Sequence, residues 1–394
     1  MNHPPAQYLV GAAAFRDLCA KLRDRDRLAL DTEFVGEDTF IPRLELLQVA
    51  AEGALAVVDV PAVGSLEALG DILADPRVVK VVHAGRQDLE LLALHAGRVP
   101  VGIFDTQLAA AMVGYGTQVG YGPLVQRILG AKLAKGHTLT NWNRRPLTAE
   151  QLAYAAEDVQ HLLPIHEHLV ERLRALGRLD WIKEEFARLE AKLGDGARDP
   201  RLGYQRLRGW EHLRPSALAV LRELTMWRDE EARRRNVPRG RVVRDEVLQE
   251  IARHAPRSLE ALRHQRGLHP SEIERNGETI LKLIQAALAL PKSEWPAAPP
   301  PPKPQAEATG LVDLLQAVLK TRAKEAHIAP TLLATSADLH ALAEAQQGRG
   351  EMDLPLLQGW RRQLAGELLL EVLAGQLLVR VDPKTGAVRL VPPS

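Results

Sequence analysis

Three short stretches of this chain carry side chains whose types and spacing suit metal-ion chemistry. Asp31-Thr32-Glu33 closes an apolar run that reads as a strand. Side chains at i and i+2 of a strand share one face, so Asp31 and Glu33 converge while Thr32 points away. Neighbouring carboxylates repel each other and lose hydration on burial, and a bound cation relieves both costs. Asp88 opens a helical pattern shortly after the strand-like run that ends in His83. In Tyr154-Ala155-Ala156-Glu157-Asp158, helical i, i+4 spacing puts the Tyr154 phenol and the Asp158 carboxylate on one face and turns Glu157 aside. Singly, each element has an ordinary explanation: solvated acids at a strand end, a carboxylate complementing a helix dipole, a half-buried tyrosine. Jointly, the four acids supply the all-oxygen ligand set that hard, Mg2+-like ions take in preference to Zn2+.

Elements of two kinds must deliver these groups. Leu/Val/Ala-rich runs at 28–34, 44–50, 54–60 and 78–83 suit buried strands, and helical patterns cover 12–22, 65–73, 88–95 and 105–113. Connections among the first three strands are too short for crossover helices, which predicts antiparallel hairpins, and a helix precedes the fourth. The result is a mixed α/β sheet with helices packed on it. Thr148-Ala149-Glu150-Gln151 fits a capping box opening the helix that bears Tyr154, and Pro164 is expected to kink or break that helix. Residues 208–290 read as wholly helical, 291–305 as an extended Pro-rich linker, and 311–371 as helical again. Segments 376–381 and 387–391 flank Asp382-Pro383-Lys384-Thr385-Gly386, a hairpin signal.

Bulk properties narrow the setting. A length of 394 residues predicts two or three domains. Cys19 is the only cysteine, which excludes an internal disulfide and a thiolate metal cluster; its apolar helical surroundings predict a buried core thiol. No apolar run is long enough to span a bilayer, and Met1 to Val10 lacks a basic region followed by an apolar run, so a cytoplasmic location is expected. The net charge of +1 conceals an uneven distribution: residues 201–290 hold 18 Lys/Arg against 12 Asp/Glu, leaving the remainder slightly acidic.

The order Asp-x-Glu, Asp, Tyr-x-x-x-Asp matches the DEDD-type 3′–5′ exonucleases with a tyrosine in the third motif. The flanking stretches LDTEF, HAGRQDLELL, FDTQLAAAMVGYGTQVGYGPLV and NWNRRPLTAEQLAYAAEDVQHLLP resemble the ribonuclease D family, densely over 28–164 and more loosely over the whole chain. Residues 207–290, with LRELTMWRDEEARRRNVPRG, VVRDEVLQEIARHAP and NGETILKLIQAAL, resemble the HRDC domain (helicase and RNase D C-terminal). The resemblance implies an α/β ribonuclease H-like exonuclease domain (1–205), an all-α HRDC domain (206–291), a Pro-rich linker (292–308) and a second HRDC-like helical domain with a C-terminal hairpin (309–394). It further implies two divalent ions, Mg2+ with Mn2+ as an alternative. Asp31, Glu33 and Asp158 would hold one ion; Asp31 would also touch the second, with Asp88 contributing through water, and Tyr154 would position the attacking water. The implied substrates are RNA, above all 3′-extended tRNA precursors, with nucleoside 5′-monophosphates as products, no membrane, and no obligate protein partner.

Several residues remain open between structural and functional readings. His83 ends an apolar strand and suits hydrogen-bonded packing or a substrate contact. The polar loop 135–145 brings His137, Trp142, Arg144 and Arg145 towards the Tyr154 helix, and Trp142 suits packing or stacking. The family usually has a Ser-Asp-Trp-like triplet where this chain has Thr140-Asn141-Trp142, which removes a charge. Gln48, on a strand near the site, is a candidate contact for the terminal nucleotide. Arg233, Arg234, Arg235, Arg239, Arg241 and Arg244 form either a solvated helix end or a phosphate-binding surface, with Arg233 and Arg239 the candidate contacts. A DNA exonuclease is the alternative function, because such chemistry attacks phosphate and not the 2′-hydroxyl. A catalytically dead RNA-binding scaffold is disfavoured by the presence of all five site residues.

Overall fold

A computed structural model describes residues 5–133, 140–194, 199–297, 306–346, 353–386 and 388–393. Its centre is a six-stranded mixed sheet in the order β1-β4-β3-β2-β5-β6. The strands are β1 (Gln7–Leu9), β2 (Arg27–Val35), β3 (Arg43–Ala51), β4 (Ala54–Asp59), β5 (Val79–Val82) and β6 (Ile103–Asp105). As the short connection requires, β3 and β4 pair antiparallel, while β5 lies parallel to both β2 and β6. Strands β1 and β6 add parallel edges that the sequence did not announce. At three residues each they are too short to display a period.

Helices pack around this sheet: α1 (Ala12–Leu22), α2 (Val60–Val63), α3 (Glu67–Ala74), α4 (Arg86–Ala96), α5 (Thr106–Met112), α6 (Tyr121–Leu129), α7 (Ala149–Gln160), α8 (Leu162–Ala175) and α9 (Leu179–Gly194). The capping box on α7 forms: Gln151 N–H donates to the Thr148 hydroxyl at 3.2 Å, and Thr148 N–H donates to Gln151 Oε1 at 2.8 Å. The break expected at Pro164 falls at His161 instead. Pro164 thereby lies in the first turn of α8, where a missing N–H leaves no helical bond unmade. Cys19 is buried, and that burial pushes its thiol up to about 11.

The chain divides into two compact units. One comprises Met1–Thr32, Leu46–Leu193 and Pro304–Ser394; the other comprises Glu33–Glu45 and Gly194–Lys303. In the second, α10 (Pro215–Arg235), α11 (Arg239–Val242), α12 (Asp245–His254), α13 (Leu259–Arg263) and α14 (Pro270–Ala289) enclose an apolar core that includes Leu218, Leu221, Leu248, Ile251 and Ile280. Phe40 and Trp295 pack against the same core, so the expected extended linker begins only after a folded turn at Lys292–Glu294. Residues 298–305 of that linker lie outside the described residues.

The C-terminal segment of the first unit holds α15 (Ala306–Glu325), α16 (Pro330–Leu333), α17 (Ser336–Gln346), α18 (Gly359–Arg361), α19 (Glu367–Leu373) and the antiparallel hairpin β7 (Leu378–Val381) and β8 (Val388–Val391). It is joined to α9 and α5 by specific bonds. Arg361 donates through both terminal nitrogens to the Glu185 carboxylate at 2.7 Å each, and Trp360 stacks on Trp181 at 5.1 Å. Arg178 donates to the Met112 carbonyl at 2.6 Å and to the His327 carbonyl at 3.2 Å.

Candidate active site

The acids of the first stretch stand where alternation requires. Asp31 and Glu33 are half-buried on one face of β2, and Thr32 between them is buried. Thr32 nevertheless has a role that alternation hid. Its hydroxyl donates to Asp88 Oδ1, and its backbone N–H also serves that carboxylate. Asp88 therefore meets the strand at the residue between the two acids. Burial raises its pKa; the bonds from Thr32 oppose that shift, and the charge of Asp105 adds to it.

Asp88 is aimed by the turn before α4. Ala84 has φ +54°, the left-handed region that disfavours a side chain, and a Cβ on Gly85 would lie 2.6 Å from Val82 Cβ. Asp105 holds this turn from below. Buried at the N-cap of α5, it accepts from the N–H groups of Ala84, Gly85, Gln107 and Leu108 at 2.8–3.3 Å. Burial raises its pKa even so.

On α7, Tyr154 and Asp158 are both half-buried, four residues apart on one face. Burial pushes the Asp158 carboxyl up to about 7, and the neighbouring Glu157 charge adds to the shift. Tyr121 on α6 is bonded to the end of this helix. Its hydroxyl donates to the Glu157 carbonyl at 3.0 Å and accepts from His161 N–H at 3.3 Å. Burial drives its pKa well above the usual phenol value, and the charges of Asp158 and Asp31 drive it the same way. One phenol thus feels acids from two distant stretches of sequence.

Thr32, Asp105 and Tyr121 escaped the sequence reading. Thr32 and Asp105 had a signal in their positions, between two acids and at the start of a helix. Tyr121 had none beyond the glycines beside it.

Burial bears on the other expected contacts. Gln48 is wholly buried on β3, and its side-chain amide has no hydrogen-bond partner among the described residues. His83 has both ring nitrogens engaged, Nε2 with the Val119 carbonyl at 3.0 Å and Nδ1 with the Thr106 hydroxyl at 2.9 Å. Burial lowers its pKa to about 4, so the ring is neutral and spent on packing. Trp142 is buried with its ring stacked on Tyr154, centroids 6.2 Å apart, which matches the packing reading of this residue. His137 lies outside the described residues.

The arginine cluster is less free than its count suggested. Arg234 pairs with Glu231, Arg235 with Glu272, Arg241 with Asp38, and Arg239 with Asp229. Arg233 and Arg239 also lie over the Phe40 ring, 5.5 and 4.5 Å from its centroid. Arg233 and Arg244 carry no ion pair among the described residues.

Among the described residues no three Asp, Glu, His or Cys side chains form a finished metal cage. The donor set still suits hard divalent ions. It is all carboxylate oxygen, and the charge on Asp158 and Asp88 is disfavoured as they stand, a cost that a cation offsets.

Comparison with known proteins shows what the chain is similar to. Residues 7–174 match the family model described as a 3′–5′ exonuclease, and 217–284 match the HRDC domain. Ribonuclease D of Gluconacetobacter diazotrophicus is 42% identical over 372 residues, covering 92% of this chain and 91% of that protein. Ribonuclease D of Pseudomonas paraeruginosa is 40% identical over 372 residues, covering 94% and 98%. The crystal structure of Escherichia coli RNase D, described as an exoribonuclease involved in structured RNA processing, superposes with a TM-score of 0.83 at 31% identity, covering 95% of this chain and 99% of that one.

Proposed function

This chain belongs to the ribonuclease D family, and from that premise we propose that it trims the 3′ ends of tRNA precursors and other small structured RNAs. The activity itself, 3′–5′ exoribonuclease hydrolysis, comes with the family, as does a dependence on divalent metal. Two ions, Mg2+ or Mn2+, held by Asp31, Glu33, Asp88 and Asp158, are the finer reading. What supports it is an all-carboxylate donor set, with Asp31 and Glu33 on one face of β2, Asp88 bonded to Thr32 between them, and Tyr154 and Asp158 on one face of α7.

Bound divalent ions supply a lowered pKa for the attacking water and charge neutralisation at both the attacking and the departing oxygens. The chain's own residues do the rest. Tyr154 orients the water by its hydroxyl, steadied by the Trp142 ring. Thr32 fixes the Asp88 carboxylate, and Asp105 fixes the turn that presents it. Water adds to phosphorus in line with the bond that breaks, the 3′-oxygen leaves with the shortened RNA, and a nucleoside 5′-monophosphate departs.

The helical segment with its excess of arginine serves as a phosphate-binding part, with Arg233 and Arg239 as contacts. The boundaries 1–205, 206–291, 292–308 and 309–394 and a cytoplasmic setting belong to the same proposal. No described helix is long and apolar enough to cross a membrane. Matched RNA and DNA duplexes with identical 3′ overhangs test the substrate assignment. Faster release of mononucleotides from the RNA supports it; equal or faster release from DNA overturns it.

A further inference from the structure

The loop that leads into α7 is fastened to the far edge of the sheet. Asp59, the last residue of β4, is buried and N-caps α2, accepting from Ala62 N–H at 3.1 Å. Its other oxygen, Oδ2, accepts from two directions. Tyr8 on the edge strand β1 donates its hydroxyl at 2.5 Å, and Arg145 donates through Nε. The same guanidinium reaches back along its own loop, where Nη1 donates to the Trp142 carbonyl at 2.5 Å and to the Arg144 carbonyl at 3.1 Å. Trp142 in turn stacks on Tyr154, with ring planes inclined by 30°. Three residues past Arg145 the capping box begins α7. Every link from Tyr8 to Tyr154 is thus a described contact within one compact unit.

The buried Asp59 carboxylate needs the partly exposed Arg145 guanidinium. Burial works against the charge on Asp59, yet the bonds from Arg145 and Tyr8 hold its pKa below the ordinary range. A pair with one partner reaching solvent contributes little net stability, and what it fixes is geometry. The geometry fixed here is that of the Trp142 backbone and hence of the indole face presented to the tyrosine. A free Trp142 loop would leave the Tyr154 ring one wall short, and small misplacements of a water-orienting hydroxyl are costly to turnover.

We infer that Arg145, anchored by Asp59 and Tyr8, is a positioning residue that sets Tyr154 for the reaction through the Trp142 ring. The inference rests on the reading of Tyr154 as the group that orients the attacking water. It places the device in the loop and sheet edge, away from the acids.

A double-mutant cycle on the full chain tests it, with kcat and KM measured on a 3′-extended RNA in Mg2+. Arg145→Ala is expected to lower kcat about ten-fold with KM within two-fold. In the Tyr154→Phe background the same change is expected to cost less than about two-fold. Arg145→Lys keeps the charge opposite Asp59 but loses the fork, and is expected to recover part of kcat. Tyr8→Phe deletes a single hydroxyl, so it guards against a misfolded Arg145 variant; a kcat loss of about two- to three-fold that vanishes with Tyr154→Phe supports the chain of contacts. Equal fold losses in both backgrounds, or a loss confined to KM, overturn the inference while leaving Tyr154 catalytic. An unchanged kcat in Tyr154→Phe alone overturns both.

Discussion

Asp158 makes the most exacting demand of any side chain in the site. A carboxyl whose folded pKa is about 7 keeps a proton that the unfolded chain surrenders near pH 4. The folded state therefore binds more protons in that window, so stability declines as pH rises from about 4 to about 7 and stays reduced above it. Asp158→Asn removes this burden. Metal-free Asp158→Asn protein is expected to be more stable than the parent at pH 8 by roughly 1–3 kcal/mol, with a smaller gain at pH 4.5. Thermal unfolding in EDTA at both pH values measures it, and no gain at pH 8 would show that the acid cluster stores no such cost. The ligand and the tyrosine should also separate. Asp31→Asn is expected to reduce turnover by about 1,000-fold or more with RNA affinity little changed, because it removes a ligand proposed to serve both ions. Tyr154→Phe should cost roughly 10- to 100-fold, since it disturbs the water and not the ions. Equal losses in single-turnover assays would show that the tyrosine does something else. The four acids and Tyr154 could be nominated from the sequence because residue type and local spacing carry the chemistry proposed for them. Thr32, Asp105 and Tyr121 act through hydrogen bonds to groups remote in sequence, a relation that no period displays.

Elements were legible in proportion to their length. Strands β2 to β5 and the helices beside them carry apolar runs that periodicity reveals, whereas β1 and β6 exist only because β4 and β5 offer open parallel edges. The break between α7 and α8 likewise came from a capping geometry at His161 that a rule about proline placed three residues late. Burial was the other hidden quantity. Gln48, His83 and Trp142 have polar or aromatic character suited to a substrate, and only packing shows them turned inward. The element most sensitive to change is the Ala84-Gly85 turn ahead of α4. Gly85→Ala forces a methyl against Val82, and is expected to cost roughly 1–3 kcal/mol of stability and to lower kcat by shifting Asp88. A denaturant midpoint equal to that of the parent would contradict this. Thr148→Ala, which deletes the capping box, should cost about 1 kcal/mol by the same measurement.

At the scale of the whole molecule, the C-terminal segment is part of the unit that carries the sheet, through contacts no sequence period could announce. Glu185 and Arg361 are both about nine-tenths buried, so removing Glu185 leaves Arg361 charged and without an ion pair among the described residues, holding only the Leu332 carbonyl. Glu185→Gln is expected to destabilise the protein by roughly 3–5 kcal/mol, read as a lowered denaturant midpoint; a loss below about 1 kcal/mol would mean that water replaces the bond. The helical unit makes a separate prediction. If Arg233 and Arg239 contact phosphates, replacing both by Ala should lower the slope of log affinity against log salt by about 1–2 without altering sequence preference. An unchanged slope would assign them to packing on Phe40. Above all these stands the proposed convergence of acids on divalent ions. The most direct measurement follows a 5′-labelled, 3′-extended tRNA incubated with the full chain in Mg2+, in EDTA, and in Mg2+ with Asp31→Asn. Stepwise shortening from the 3′ end with release of nucleoside 5′-monophosphates, only in the first reaction, is the predicted result. Trimming that persists in EDTA or in Asp31→Asn would contradict the account.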